Sequence, residues 1–274
     1  MKKIILAMTI VAMTAACGSP KHEAQKVLVL YYSQTGNTKL VAEEISNRLG
    51  ADIEEIVMVD PYDTSFAATI QRCMQEREAG VVPEIQPVVS NVADYDVIFL
   101  GFPVWFGTYA PPVTKWLEGV DLSGKKVVPF CTFGSGGLES SMADLAAAQP
   151  NADILPGYGV RAARLESMPQ EVEQYLVANG FLEGEYTPLP DFPEQHEVSE
   201  EEIAIFDAAV DGYPMLNAQA KTVATRILPA GTEYLFTAED VRRDDRPDMP
   251  PATDLQVYVT VLTGQPPVFT KVVR

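Results

Sequence analysis

From Lys26 onward the chain alternates short apolar runs with segments of helical spacing. KVLVLYY (26–32) is apolar at nearly every position, not at alternate ones, which predicts a strand buried on both faces of a parallel sheet. Residues 38–49 place Val41, Ile45 and Leu49 on one stripe and predict a helix. DIEEIVMV (52–59) predicts a second strand. Residues 64–80 predict a helix ending at Gly80, with Phe66 and Met74 in the core. YDVIFLGFPV (95–104) is a third strand, and Pro111 and Pro112 open a short helix through Trp116 and Leu117. KKVVPFCTF (125–133) is a fourth strand and 138–147 a helix. ADILPGYGV (152–160) is a fifth strand, and 168–180 the last helix. This alternation predicts an α/β fold, a doubly wound sheet of five parallel strands.

The pattern then changes. Residues 185–198, with three prolines and many acids, read as a linker. In SEEEIAIFDAAVDGY, Ser199 and Glu202 match a capping box, and Ile203, Phe206 and Val210 form an apolar stripe. Further on, LQVYVTV alternates cleanly, with Leu255, Val257, Val259 and Val261 on one face. A second, smaller α+β domain over 199–274 follows from this, behind a first domain over 26–184.

Composition narrows the chemistry. The 274 residues are 47% hydrophobic, so the chain can build real cores. The formal charge is −18, and no basic stripe offsets it, which sets nucleic-acid binding aside. Only two histidines occur, His22 and His196, both in linker-like stretches. Histidine-based metal sites and Ser-His-Asp or Cys-His catalysis are therefore poorly supported. The opening MKKIILAMTIVAMTAAC has two lysines, a short apolar core and small residues before Cys17. It predicts a signal peptide over 1–16, too short to span a membrane. The TAAC ending resembles a bacterial lipobox, which implies lipidation of Cys17, a tether over 17–25 and a bacterial cell-envelope location. Cys73 and Cys131 could pair in an exported chain, but Cys131 lies in the apolar VVPFC and reads as a core thiol.

Three loops fall beyond the carboxyl ends of predicted strands, where such sheets bind ligands. In the first, Ser33, Gln34, Thr35, Gly36, Asn37 and Thr38 join a strand to a helix without a basic residue. Gly36 permits close backbone approach, the helix start offers amides, and the hydroxyls of Ser33, Thr35 and Thr38 add donors. That chemistry suits a monophosphate ester and matches neither GxxxxGK[ST] nor GxGxxG. The second, GFPVWFGTYAPP (101–112), presents Trp105 and Phe106 on a Gly/Pro-framed loop able to flank a planar ring. The third, CTFGSGG (131–137), has Gly134, Gly136 and Gly137 and could offer backbone amides to a ring edge.

Together these loops resemble the flavodoxin family over residues 26–182, with TGNT as the most specific part. PVWFGT and FCTFGSGG are similar to the branch near NAD(P)H-dependent FMN reductases and quinone reductases. The resemblance implies a flavodoxin-like fold and an FMN cofactor whose phosphate rests on residues 33–38. It places the isoalloxazine between Pro103, Val104, Trp105, Phe106 and Gly107 on one side and Thr132, Phe133, Gly134, Gly136 and Gly137 on the other. With no cation in the loops and an acidic chain, a low potential is expected for full reduction of the flavin. Residues 221–236 weakly resemble the central hairpin of cystatin-like domains. Ile227 and Pro229 depart from that hairpin's inhibitory loop, so a docking or structural module is expected there. Three functions follow as expectations: an exported electron carrier serving a redox partner protein, an FMN-dependent NAD(P)H:quinone-type oxidoreductase, or a cofactor-free interaction module acting through the C-terminal domain.

Overall fold

The computed structural model describes residues 25–211, 213, 216–228, 230–241 and 254–273. The expected signal peptide and Cys17 lie outside them, as does Pro229. The first unit runs β1 (Val27–Tyr31), α1 (Asn37–Leu49), β2 (Asp52–Glu55), α2 (Phe66–Ala79), β3 (Val97–Trp105), β4 (Thr108–Tyr109), α3 (Pro111–Glu118), β5 (Lys126–Phe133), α4 (Leu138–Ala148), β6 (Asp153–Ile154), β7 (Tyr158–Arg161) and α5 (Met168–Ala178). Its parallel strands are ordered β2-β1-β3-β5-β6, with β7 beside β5 and β4 folded back antiparallel on β3. The chain moves one way from β1 to β2 and the other way to β3, so the topological switch point lies beyond the carboxyl ends of β1 and β3.

The strands are apolar on both faces because both faces are covered. Leu28, Leu30, Ile98, Leu100, Phe102 and Val127 pack with Val113, Trp116 and Leu117 of α3 and Leu145 of α4. The alternate residues, among them Val29, Val97, Phe99, Val128 and Phe130, pack with Val41 and Ile45 of α1 and Val172 and Leu176 of α5. This is the doubly wound arrangement the continuous apolar runs predict.

Three expectations need correction. The second strand ends at Glu55, four residues early, because Met58 turns away to bridge Ile85. The fifth strand is split into β6 and β7 around Pro156, which has no N–H to give to the ladder. Phe66 and Met74 are not core residues. Phe66 is 81% and Met74 49% exposed, while α2 buries Thr69 and Cys73 instead. Cys73 and Cys131 are separate, buried free thiols.

The second unit comprises β8 (His196–Glu197), α6 (Glu200–Val210), β9 (Ala218–Leu228), β10 (Gly231–Asp240), β11 (Asp254–Leu262) and β12 (Val268–Val273). It is a helix on an antiparallel sheet ordered β12-β11-β10-β9-β8. Both arms of the Ser199–Glu202 capping box are made. Leu255, Val257 and Val259 are buried on one face, with Val261 packed beside them. The α6 stripe differs slightly from expectation: Phe206 is buried and Ile205, Ala209 and Val210 pack against the core, whereas Ile203 faces outward. The tail of the expected linker joins this sheet, since the Arg226 guanidinium sits 4.4 Å from the Phe192 ring and Gln195 accepts hydrogen bonds from Thr222 and Thr237.

Candidate functional site

The β1–α1 loop ends in a helix start left open to an anion. Gly36 is the N-cap residue at φ 87°, a left-handed conformation that suits glycine, and a Cβ there would meet nothing within 4 Å. No acidic residue occupies the first turn of α1, and no side chain caps it at Gly36. Ser33 Oγ accepts from the Lys39 amide at 3.2 Å. Among the described residues, nothing accepts from the amides of Thr35, Gly36, Asn37 and Thr38. These orphan donors and the positive end of the helix dipole converge on open space. The ammonium of Lys39 lies 3.9 Å from Glu43, so the loop itself carries no cation.

Two side chains of this loop brace it instead of facing outward. Thr38 is buried, and its hydroxyl shares a 2.8 Å hydrogen bond with Thr132 of the third loop. Gln34 accepts from the Tyr32 hydroxyl at 2.6 Å and donates to the Asp63 carbonyl at 3.0 Å, tying the loop to the segment before α2. That leaves Thr35, which is exposed, and the run of amides as the ligand-facing part.

Beyond β3 the chain makes a hairpin in which Val104 pairs with Tyr109 and Trp105 with Thr108. Phe106 and Gly107 form its tip at φ 52° and 84°. Positive φ at both central positions is the type I′ geometry that favours Asn-Gly, and a phenylalanine there is strained by roughly 1–2 kcal/mol. Its ring is about half exposed, with the Arg77 guanidinium 4.8 Å from its centroid. Trp105 is held more firmly. Tyr62 meets it edge-on at 5.2 Å and Tyr32 at 6.1 Å. The Tyr62 hydroxyl donates to Glu76 at 2.5 Å, and Arg72 lies over the Tyr62 ring at 4.6 Å. Burial first, and then Glu76, push the Tyr62 phenol up, so it stays a neutral donor at ordinary pH.

The strain at Phe106 gives a direct test. Phe106→Asn relieves it, so the protein is expected to gain roughly 0.5–1 kcal/mol in chemical denaturation. The same change removes an exposed ring from the site. Unchanged stability would show that the left-handed backbone costs nothing there.

In the third loop Thr132 and Phe133 are buried, Gly134 is exposed, and Gly136 and Gly137 are half-buried. A Cβ on Gly137 would lie 2.6 Å from Val104 Cγ1, and Ser140 Oγ donates to the Gly107 carbonyl at 2.6 Å. The second and third loops are thus knit to each other, as the first is to the third through Thr38 and Thr132. All three sequence-derived loops converge at the switch point. Sequence reading missed Tyr32, Tyr62, Arg77 and Arg161. Tyr32 directly follows β1 and Arg161 ends β7 on this side of the sheet, and that position was a usable signal. Among the described residues no group of His, Cys, Asp and Glu is placed to hold a metal ion.

An α/β protein with an anion-ready helix start and an aromatic wall at its switch point belongs to the phosphate-bearing cofactor binders. Comparison narrows the class. A flavodoxin family model matches residues 26–174, more than half the chain, and this chain belongs to the flavodoxin family. A candidate flavoprotein from Bacteroides eggerthii is similar at 27% identity and a TM-score of 0.50, over 56% of this chain and 97% of that one. A second, from Bacteroides uniformis, is 25% identical with a TM-score of 0.49, over 54% and 98%. A flavoprotein from Lactobacillus acidophilus, solved in complex with FMN, is 22% identical with a TM-score of 0.45, over 53% and 98%.

Proposed function

We propose that this chain is an exported, lipid-anchored FMN protein that passes electrons to or from a redox partner protein. The observation that carries the cofactor is the open start of α1: free amides over Thr35–Thr38, no acid in the first turn, and space above Gly36. Those residues fit a phosphate monoester. Trp105 and Phe106 would flank the ring system, and the backbone from Thr132 to Gly137 would meet its polar edge. FMN, when bound, supplies the redox chemistry, and the protein supplies position and electrostatics. The packing of Tyr62 and Tyr32 holds Trp105 in place, and the hydrogen bonds among the loops keep their spacing fixed. Both thiols are buried; Cys131 lies in the sheet core, where burial pushes its thiol well above its ordinary pKa, and Cys73 lies on α2 behind Trp105 and Arg77. The signal-peptide-like start and the lipobox-like TAAC ending at Cys17 support an envelope location, where NAD(P)H is scarce, which favours a carrier over an enzyme. The C-terminal unit, in this reading, is a cystatin-like docking or structural module.

A second reading, a quinone-type oxidoreductase, is favoured by one observation. A cavity of about 330 Å³ lies beside Trp105, Phe106 and Arg77, with room for a small substrate. Titration of the purified protein with FMN tests both readings. Quenched flavin fluorescence and a shifted visible band are expected, with photoreduction proceeding in one-electron steps. Steady turnover with NAD(P)H and a quinone would instead favour the oxidoreductase. No uptake at about millimolar FMN, an affinity near −4 kcal/mol, would remove both.

A further inference from the structure

The second unit does not stand apart from the loops described above. Arg161, at the end of β7, joins them. Its Nε donates to the Gly134 carbonyl at 2.7 Å, and its Nη1 donates to the Phe269 carbonyl of β12. The guanidinium plane also lies over the rings of Phe269 at 4.3 Å and Tyr213 at 5.3 Å. Partial burial between the two units pulls its pKa below the usual guanidinium value. Beside it the Val272 amide donates to the Ser135 carbonyl at 2.7 Å, and Lys271 reaches Glu139 at 3.4 Å. Gly136 is needed for this approach, since a Cβ there would come within 2.6 Å of the Val272 carbonyl oxygen.

Every one of these contacts falls on residues 134–139 or on Arg161. We propose that the C-terminal unit is a built-in clamp on the third loop, with Arg161 as the positioning residue that fixes the loop against the flavin edge. The inference rests on the FMN reading. Arg161 is suited to the role because its planar fork reaches two carbonyls on different units at once, which a lysine cannot reproduce. A loop held in its bound shape before the ligand arrives loses less entropy on binding. Unclamped, Gly134, Gly136 and Gly137 would have to be ordered by the cofactor itself.

The clamp is tested in the full chain with Arg161→Gln, Arg161→Lys and Gly136→Ala. Amide hydrogen exchange is measured without FMN, and FMN affinity by fluorescence titration. In the wild type the Val272 amide is expected to be protected. All three variants should lose that protection and bind FMN on the order of tenfold more weakly, while the amides of β1 and β3 keep theirs. Rescue by Arg161→Lys would overturn the positioning role in favour of charge alone. FMN uptake by the wild type with unchanged affinity in the glutamine and alanine variants would overturn the clamp and leave the flavin site standing. A wild type that takes up no FMN would overturn the flavin reading and, with it, this role for the clamp. Val272 protection lost in Arg161→Gln would then show only that the two units are docked.

Discussion

Asn37→Asp is expected to make the protein more stable without FMN and far poorer at holding it. Asn37 is the first residue of α1, at a helix start with no acid in its first turn. A carboxylate there satisfies the helix dipole, for a gain of about 0.3–1 kcal/mol. The same carboxylate occupies the field meant for a phosphate. Two like charges about 4 Å apart repel by about 4 kcal/mol at the effective dielectric of a protein surface. Even after partial screening, FMN affinity should fall on the order of a hundredfold or more, and the loss should shrink as salt is raised. Thermal unfolding of the flavin-free protein and an FMN titration at two ionic strengths check both halves. A variant that binds FMN as the wild type does would mean that the anion rests elsewhere.

Gly101→Ala is expected to destabilise the protein by roughly 2–3 kcal/mol. Gly101 in β3 pairs directly with Phe130 in β5, and an added Cβ would lie 2.2 Å from the Phe130 ring. Both residues are in central strands, and Phe130 is fully buried, so the ring has little room to move. The damage falls at the switch point, because the Gly101 carbonyl also accepts the Tyr32 amide at 2.9 Å, one residue before the phosphate loop. FMN affinity should therefore drop together with stability. Phe130→Leu in the same chain should recover much of the loss, and denaturation of the two single variants and the double variant measures that coupling. Simple additivity would show that the contact is not the cause.

The first unit was legible because its signals are local and repeated. The α1 stripe of Val41, Ile45 and Leu49 and the continuous apolar runs of β1, β3 and β5 admit few other readings. The β1–α1 loop was legible for the same reason, since six adjacent residues carry its open helix start. Periodicity shows that a helix has a stripe, but not which neighbour it meets. In α2, Phe66, Ile70 and Met74 recur every four residues, yet Phe66 and Met74 are exposed, because α2 turns Thr69 and Cys73 inward and spends Glu76 and Arg72 on Tyr62. Side-chain duties inside the loops were also invisible. Nothing local shows that the Thr38 hydroxyl is spent on Thr132, or that Gln34 braces Tyr32. Docking of the second unit was beyond reach, since Arg161 and Phe269 are more than a hundred residues apart and neither lies in a motif.

The placement of β12 has a consequence for solubility. A sheet edge with free amides and carbonyls is a template for another chain. In the antiparallel sheet the outer strands are β8 and β12. On one side β8 is only two residues long, His196 and Glu197, and pairs with just Val223 and Thr222 of β9. The β12 edge is longer and more apolar, VFTKVV, and there the Ser135 carbonyl receives the Val272 amide. The third loop thus occupies part of an edge that would otherwise be open to strands from neighbouring molecules.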